Sequence, residues 1–175
     1  MPERFLLHTC CAPCLLYPLK KLESDYLLTL FFYNPNIQPE EEYERRRKEV
    51  ERVATIYQIP LLLGDYEVEF WLKSVSGLEG EKEGGKRCEV CFSLRLEKTA
   101  LVAKEKNFPI FGTTLTSGRQ KNAKLINQIG REIAQREGLE FFVADFKEGF
   151  HFSLVNSKRL SLYRQKYCGC LYSKR

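Results

Sequence analysis

Phe5-Leu6-Leu7-His8-Thr9-Cys10-Cys11-Ala12-Pro13-Cys14 decides how this chain is read. A short run rich in Leu and Phe, with no polar alternation, is the pattern of a strand covered on both faces, as in a parallel sheet. The run ends on two adjacent cysteines, and a third follows before a helix is expected to begin. Cysteine is ordinarily a small buried hydrophobe. Here three of them stand at a strand tip, where α/β proteins place their chemistry.

Working outward, residues 26–33, 61–63, 109–116 and 139–144 repeat the short apolar pattern, the third strand stopping at Gly64-Asp65. Between them lie helical patterns at 40–57, 67–75, 88–106 and 123–137, the last closed by Gly138. Tyr43, Val50, Val53 and Ile56 or Tyr57 mark the inner face of the 40–57 helix. Leu94, Leu96, Leu101 and Val102 do so for the 88–106 helix. A Gly-rich, charged loop from 77 to 86 is expected to be exposed. Alternating strands and helices predict an α/β fold with a parallel sheet of about five strands flanked by helices. At 175 residues, one domain over 1–175 suffices.

All seven cysteines fall in three tight groups: Cys10, Cys11 and Cys14; Cys88 and Cys91; Cys168 and Cys170. The first residues carry one Arg, a short apolar run and no small-residue cleavage site, unlike a secretory signal. No stretch approaches the roughly 20 apolar residues of a membrane span. A cytoplasmic protein is therefore expected, in which clustered cysteines more often bind metal or do redox work than staple the fold. A structural zinc site built from two pairs is one reading, although directly adjacent cysteines make an awkward tetrahedral chelate. An iron–sulfur cluster is larger, so neighbouring thiolates reach different irons, and Cys10, Cys11, Cys88 and Cys91 would complete a [4Fe-4S] set. The N-terminus of the helix bearing Cys88 and Cys91 would favour thiolates.

The net charge of +5 is unevenly spread. From His151 onward there are six Lys or Arg residues and no Asp or Glu, with Phe152, Tyr163, Tyr167 and Tyr172 interleaved. Segment 146–175 thus forms a basic, aromatic C-terminal extension, either a solvated surface or a nucleic-acid contact. In the second reading Arg159, Arg164 and Lys166 meet phosphates, Tyr163 and Tyr167 stack on bases, and Arg119 and Lys121 add to the cationic surface. Thr113, Thr114, Thr116 and Ser117 offer hydroxyls at another strand end, or caps for the next helix.

The motifs H-T-C-C-A-P-C, F-Y-N-P-N-I, R-C-E-V-C with R-L-E-K-T-A downstream, T-T-L-T-S and Y-R-Q-K-Y-C-G-C-L-Y-S run from Leu7 to Ser173. Together they resemble the QueH family of epoxyqueuosine reductases. The resemblance implies a Rossmann-like sheet of the HUP type and a [4Fe-4S] enzyme. Its reaction would reduce the epoxide of epoxyqueuosine, in the anticodon arm of tRNA, to the cyclopentene of queuosine without cobalamin. An electron donor is required and not identified. Where relatives have a Ser-Pro-Tyr-Lys-like stretch, this chain has Ser117-Gly118-Arg119-Gln120-Lys121-Asn122. HUP kinship also raises a PP-loop enzyme, but Thr9-Cys10-Cys11-Ala12 replaces the glycine-rich phosphate loop. A zinc-stabilised RNA-binding module without catalysis is the reading from another class.

Removing an epoxide oxygen consumes two electrons and two protons, and no ordinary side chain supplies electrons. Cys14, left over after four ligands, is expected to bind an additional iron beside the cluster or to remain a nearby thiol. Asp65, His8 and Tyr33 are candidates for proton delivery or metal support, with His8 more readily a satisfied strand histidine. Cys168-Gly169-Cys170 is spaced to close a strained, easily reduced disulfide, and the resemblance supports a redox-active pair.

Overall fold

The computed structural model describes residues 1–174. Five parallel strands form one sheet in the order β3-β2-β1-β4-β5. They are β1 (Glu3–His8), β2 (Tyr26–Phe32), β3 (Leu61–Leu63), β4 (Ile110–Thr113) and β5 (Glu140–Phe141). The helices are α1 (Ala12–Leu22), α2 (Glu40–Ile56), α3 (Val68–Ser74), α4 (Lys86–Glu105), α5 (Ala123–Glu137) and α6 (Phe150–Arg159).

The unbroken apolar runs are explained by cores on both faces of the sheet. Phe5 and Leu7 of β1 join Leu28, Leu30 and Phe32 of β2 beneath α1 and α2, while Leu6 and Phe31 point the other way, under α4 and α5. Phe5, Leu6 and Leu7 are fully buried, each contributing about 1.5–3 kcal/mol. The order of strands reverses between β1 and β4, so their carboxyl ends open the crevice in which such sheets bind ligands.

Several expectations are corrected. A helix begins immediately after the paired cysteines, with Cys11 as its N-cap, so Cys14 lies inside its first turn rather than ahead of any helix. The 139–144 strand shrinks to Glu140–Phe141, and the 109–116 strand ends at Thr113, where a 3-10 turn (Leu115–Ser117) takes over. Leu101 is exposed rather than core, and of Ile56 and Tyr57 it is Tyr57 that packs on the core while Ile56 is exposed. Part of the basic C-terminal segment is the helix α6, packed on α1 through Tyr17 and Phe152. No helix among the described residues is long and apolar enough to cross a membrane.

Candidate active site and metal centre

The cysteine tip is built by local chain chemistry. Pro13 stands in the first turn of α1, where its missing N–H matters least. Pro18, one turn further on, has no N–H to offer the Cys14 carbonyl. The Ser117 hydroxyl donates to that carbonyl instead, at 2.7 Å. Cys10 is fixed in the same way: its backbone N–H donates to Thr114 Oγ1 at 3.1 Å, and that hydroxyl lies 3.3 Å from Cys10 Sγ. Thr116 Oγ1 accepts from Phe146 N. The hydroxyl-rich β4 end therefore holds the thiol-bearing turn across the β1–β4 crevice.

His8 is the strand tie in this arrangement. Its Nε2–H donates to the Tyr33 carbonyl at 3.0 Å, which leaves Nδ1 to accept from Thr113 Oγ1 at 2.9 Å. Complete burial, reinforced by Arg95, pushes it down to about 4, so the ring is neutral and both nitrogens are engaged.

The sulfurs of Cys10, Cys11 and Cys14 lie within 4.8 Å of one another. Hydrogen bonds from Cys11 and Cys14, with help from Arg95, hold the Cys10 thiol well below its ordinary range. The hydrogen bond to Cys10 in turn pushes Cys11 up to about 12, and those to Cys10 and Cys11 raise Cys14 well above its ordinary value. All three line a cavity of about 470 Å³ together with Arg95, Lys121 and Cys168. The same Arg95, Lys121 and Cys168 border a narrow cleft lined by Cys88, Cys91 and Cys170. Arg95, only 3 % exposed, donates to Asn34 Oδ1 at 2.7 Å and lies 3.7 Å from Cys91 Sγ. Asn34 in turn donates to the Thr9 carbonyl at 3.0 Å.

The C-terminal strap crosses this site. Arg46 of α2 donates to the carbonyls of Cys168 (2.7 Å) and Tyr167 (2.9 Å) while pairing with Glu42 at 2.8 Å. Gln38 N donates to Gly169 O, and Gln38 Oε1 accepts from Leu171 N. Gly169 has φ 144°, and a Cβ there would sit 3.1 Å from Asn36 and Ile37, so only glycine fits between the two cysteines. Gln165 donates to Cys11 Sγ at 2.9 Å.

The residues suit a soft, thiolate-held, anionic group. A cluster bound by four thiolates carries net negative charge, and buried Arg95 together with the inward-facing Lys121 supplies opposite charge beside the thiols.

A profile described as epoxyqueuosine reductase QueH matches residues 5–175. The chain belongs to that family. Its relatives of that description include one from Thermotoga maritima, 40% identical over 96% of this chain and 88% of the relative. One from Acinetobacter baylyi is 38% identical over 99% and 81%. The family makes the chain an oxidoreductase. Two solved structures share the fold at TM-score 0.60. One is the U34-tRNA thiolase NcsA from Methanococcus maripaludis with its [4Fe-4S] cluster, at 13% identity over 99% of this chain and 62% of that one. The other is a predicted subunit of tRNA methyltransferase from Methanocaldococcus jannaschii, at 14% identity over 90% and 75%. These likenesses show a shared α/β fold.

Within this QueH-family site, not every residue singled out from the sequence takes the place expected of it. Asp65 is exposed beyond the edge strand β3, separated from β1 by β2, and lines neither thiol cavity. Lys121 does not face solvent: its ammonium donates to Cys168 Sγ at 2.6 Å. Burial works against that charge, and the Cys168 sulfur more than offsets it, holding Lys121 above its ordinary value. Tyr163 donates to Glu42 and Tyr167 to the Gln38 carbonyl, while the guanidiniums of Arg45 and Arg46 cover their rings, so both tyrosines pin the strap. Arg159, Arg164 and Lys166 are exposed. Cys168 and Cys170 are thiols here, the first against Lys121 and the second buried beside Trp71 and Val75. Burial pushes the Cys91 thiol up, with Arg95 opposing. Arg46 and Arg95 were not singled out, although Arg46 falls on the helical stripe of Tyr43, Val50 and Val53.

Proposed function

We propose that this chain reduces the epoxide of epoxyqueuosine in tRNA to queuosine within the thiol-lined cavity, using an iron–sulfur centre and no cobalamin. The observation that carries the reading is the convergence of three sulfurs within 4.8 Å at the strand-order reversal, beside the buried Arg95. Cys10, Cys11, Cys88 and Cys91 are the residues to hold a [4Fe-4S] cluster. Cys14, on the substrate side, takes an additional iron or stays a thiol. When bound, the cluster supplies electrons one at a time.

The reaction takes up two electrons and two protons and releases water. The chain's residues bind, orient and neutralise. Arg95 and Lys121 keep positive charge beside the thiolates, and Gln165 fixes the Cys11 side of the cavity. The Cys168–Cys170 strap lies where reducing equivalents from the electron donor reach the cavity, as a dithiol or a disulfide.

Arg159, Arg164 and Lys166 hold the anticodon arm through its phosphates. Changing all three to Ala is expected to weaken tRNA binding and to lower the slope of log affinity against log salt by up to about 2–3, with iron content unchanged. An unchanged slope makes this surface merely solvated.

Anaerobic purification followed by iron, acid-labile sulfide and zinc analysis tests the cofactor. Acid-labile sulfide is expected, with iron equal to it if Cys14 stays a thiol and in excess of it if Cys14 holds an additional iron. Zinc without sulfide would overturn the reading in favour of a zinc-stabilised binding module.

A further inference from the structure

A second cavity, of about 160 Å³, adjoins the thiol cavity. Its walls are Pro13, Phe146, Phe150 and Leu154, and it shares Cys14, Gly118, Arg119 and Gln165 with the larger one. A space of roughly 150 Å³ lined by apolar side chains admits one benzene ring. Ser117, Ser153 and the guanidinium-bearing Arg119 and Arg164 also line it, and two of its polar atoms are without partners. Ser157, 1 % exposed, has no partner for its hydroxyl, and Gln165, whose amide nitrogen is committed to Cys11, has none for Oε1. Buried polar atoms call for partners. Apolar walls of ring-sized volume with an unpartnered hydroxyl and amide oxygen between them match a heteroaromatic ring bearing N–H groups on its edge. At the rim the Arg119 guanidinium lies 4.5 Å over the Phe150 ring, a planar pair on which such a ring can stack.

We propose that this cavity is the subsite for the base of the nucleotide being reduced. The inference rests on the reductase reading. The base enters between Phe150 and the Pro13 end of α1, with its edge toward Ser157 and Gln165. The epoxide-bearing ring attached to it then passes the shared wall at Cys14 into the thiol cavity. A base in an anticodon loop is unpaired, so drawing it out of its stack is inexpensive. Gln165 then touches both halves of the site, Cys11 with its nitrogen and the base with its oxygen, and so couples recognition of the base to the position of the reacting group.

The test measures binding of the cluster-loaded chain to two anticodon stem–loops, one carrying epoxyqueuosine and one abasic at that position. Phe150 is 37 % exposed, so Phe150→Ala is a mild change to the fold, whereas Ser157→Leu fills the cavity. Wild type is expected to prefer the base-bearing loop. Phe150→Ala should lower that preference about tenfold (about 1.4 kcal/mol), and Ser157→Leu should abolish it, both leaving abasic-loop affinity unchanged. A preference equal to wild type in the folded Phe150→Ala and Ser157→Leu proteins overturns the base subsite. Turnover by wild type on the first loop is scored separately. Its absence would count against the reductase reading, while the binding comparison still decides the subsite.

Discussion

Cys10→Ser, Cys11→Ser, Cys88→Ser and Cys91→Ser are each expected to remove the iron–sulfur absorbance and the reductase activity together. A hydroxyl is a hard, weakly acidic replacement for a thiolate on iron. The activity lost should exceed the 10–100-fold typical of losing an outer-shell partner of a metal ligand. Cys14→Ser should keep the cluster and lose turnover. Its sulfur shares the 4.8 Å group with Cys10 and Cys11, so iron analysis of this variant is the sharpest check on the ligand set. Loss of all iron from Cys14→Ser would make Cys14 a cluster ligand and displace one of the other four.

Arg46→Ala is expected to give the largest effect on the strap. Arg46 and Glu42 are 2% and 7% exposed at their side chains, and removing one member of a buried pair strands the other. Such losses run to about 3–5 kcal/mol, and the lower end applies here because Tyr163 still donates to Glu42. The carbonyls of Tyr167 and Cys168 lose their donors at the same time. Chemical denaturation should show the fall in stability, and alkylation of Cys168 should accelerate while iron content persists. Unchanged alkylation would mean that Gln38 and the two tyrosines hold the strap without Arg46.

The parts of the fold legible in the sequence were those governed by hydrophobic runs. The β1 run, the strand alternation and the thiol-bearing start of α4 follow from composition and period alone. Helix α1 starts at Ala12, ahead of the point after Cys14 where the sequence is read to begin a helix. Pro13 is a start signal, and Pro18 is tolerated because Ser117, a hundred residues away, takes up the carbonyl it leaves free. Such compensation by a distant side chain has no local signature. Arg46 was hidden for a related reason: a helix dense in Glu and Arg reads as solvated, although its period of 3.6 places this one guanidinium inward. Lys121 could be counted as a cation, but its direction toward Cys168 depends on where the chain's end returns.

In the proposed reaction this chain's own iron–sulfur centre reduces the epoxide. The direct measurement is an anaerobic, single-turnover reaction of the cluster-loaded chain, with an excess of low-potential chemical reductant to supply both electrons, on tRNA carrying epoxyqueuosine in cobalamin-free buffer, followed by mass analysis of the nucleosides. The expected result is queuosine, one oxygen atom lighter than the substrate, formed in proportion to cluster content. Unchanged epoxyqueuosine from a chain that carries its full complement of iron and sulfide and binds the tRNA would contradict it.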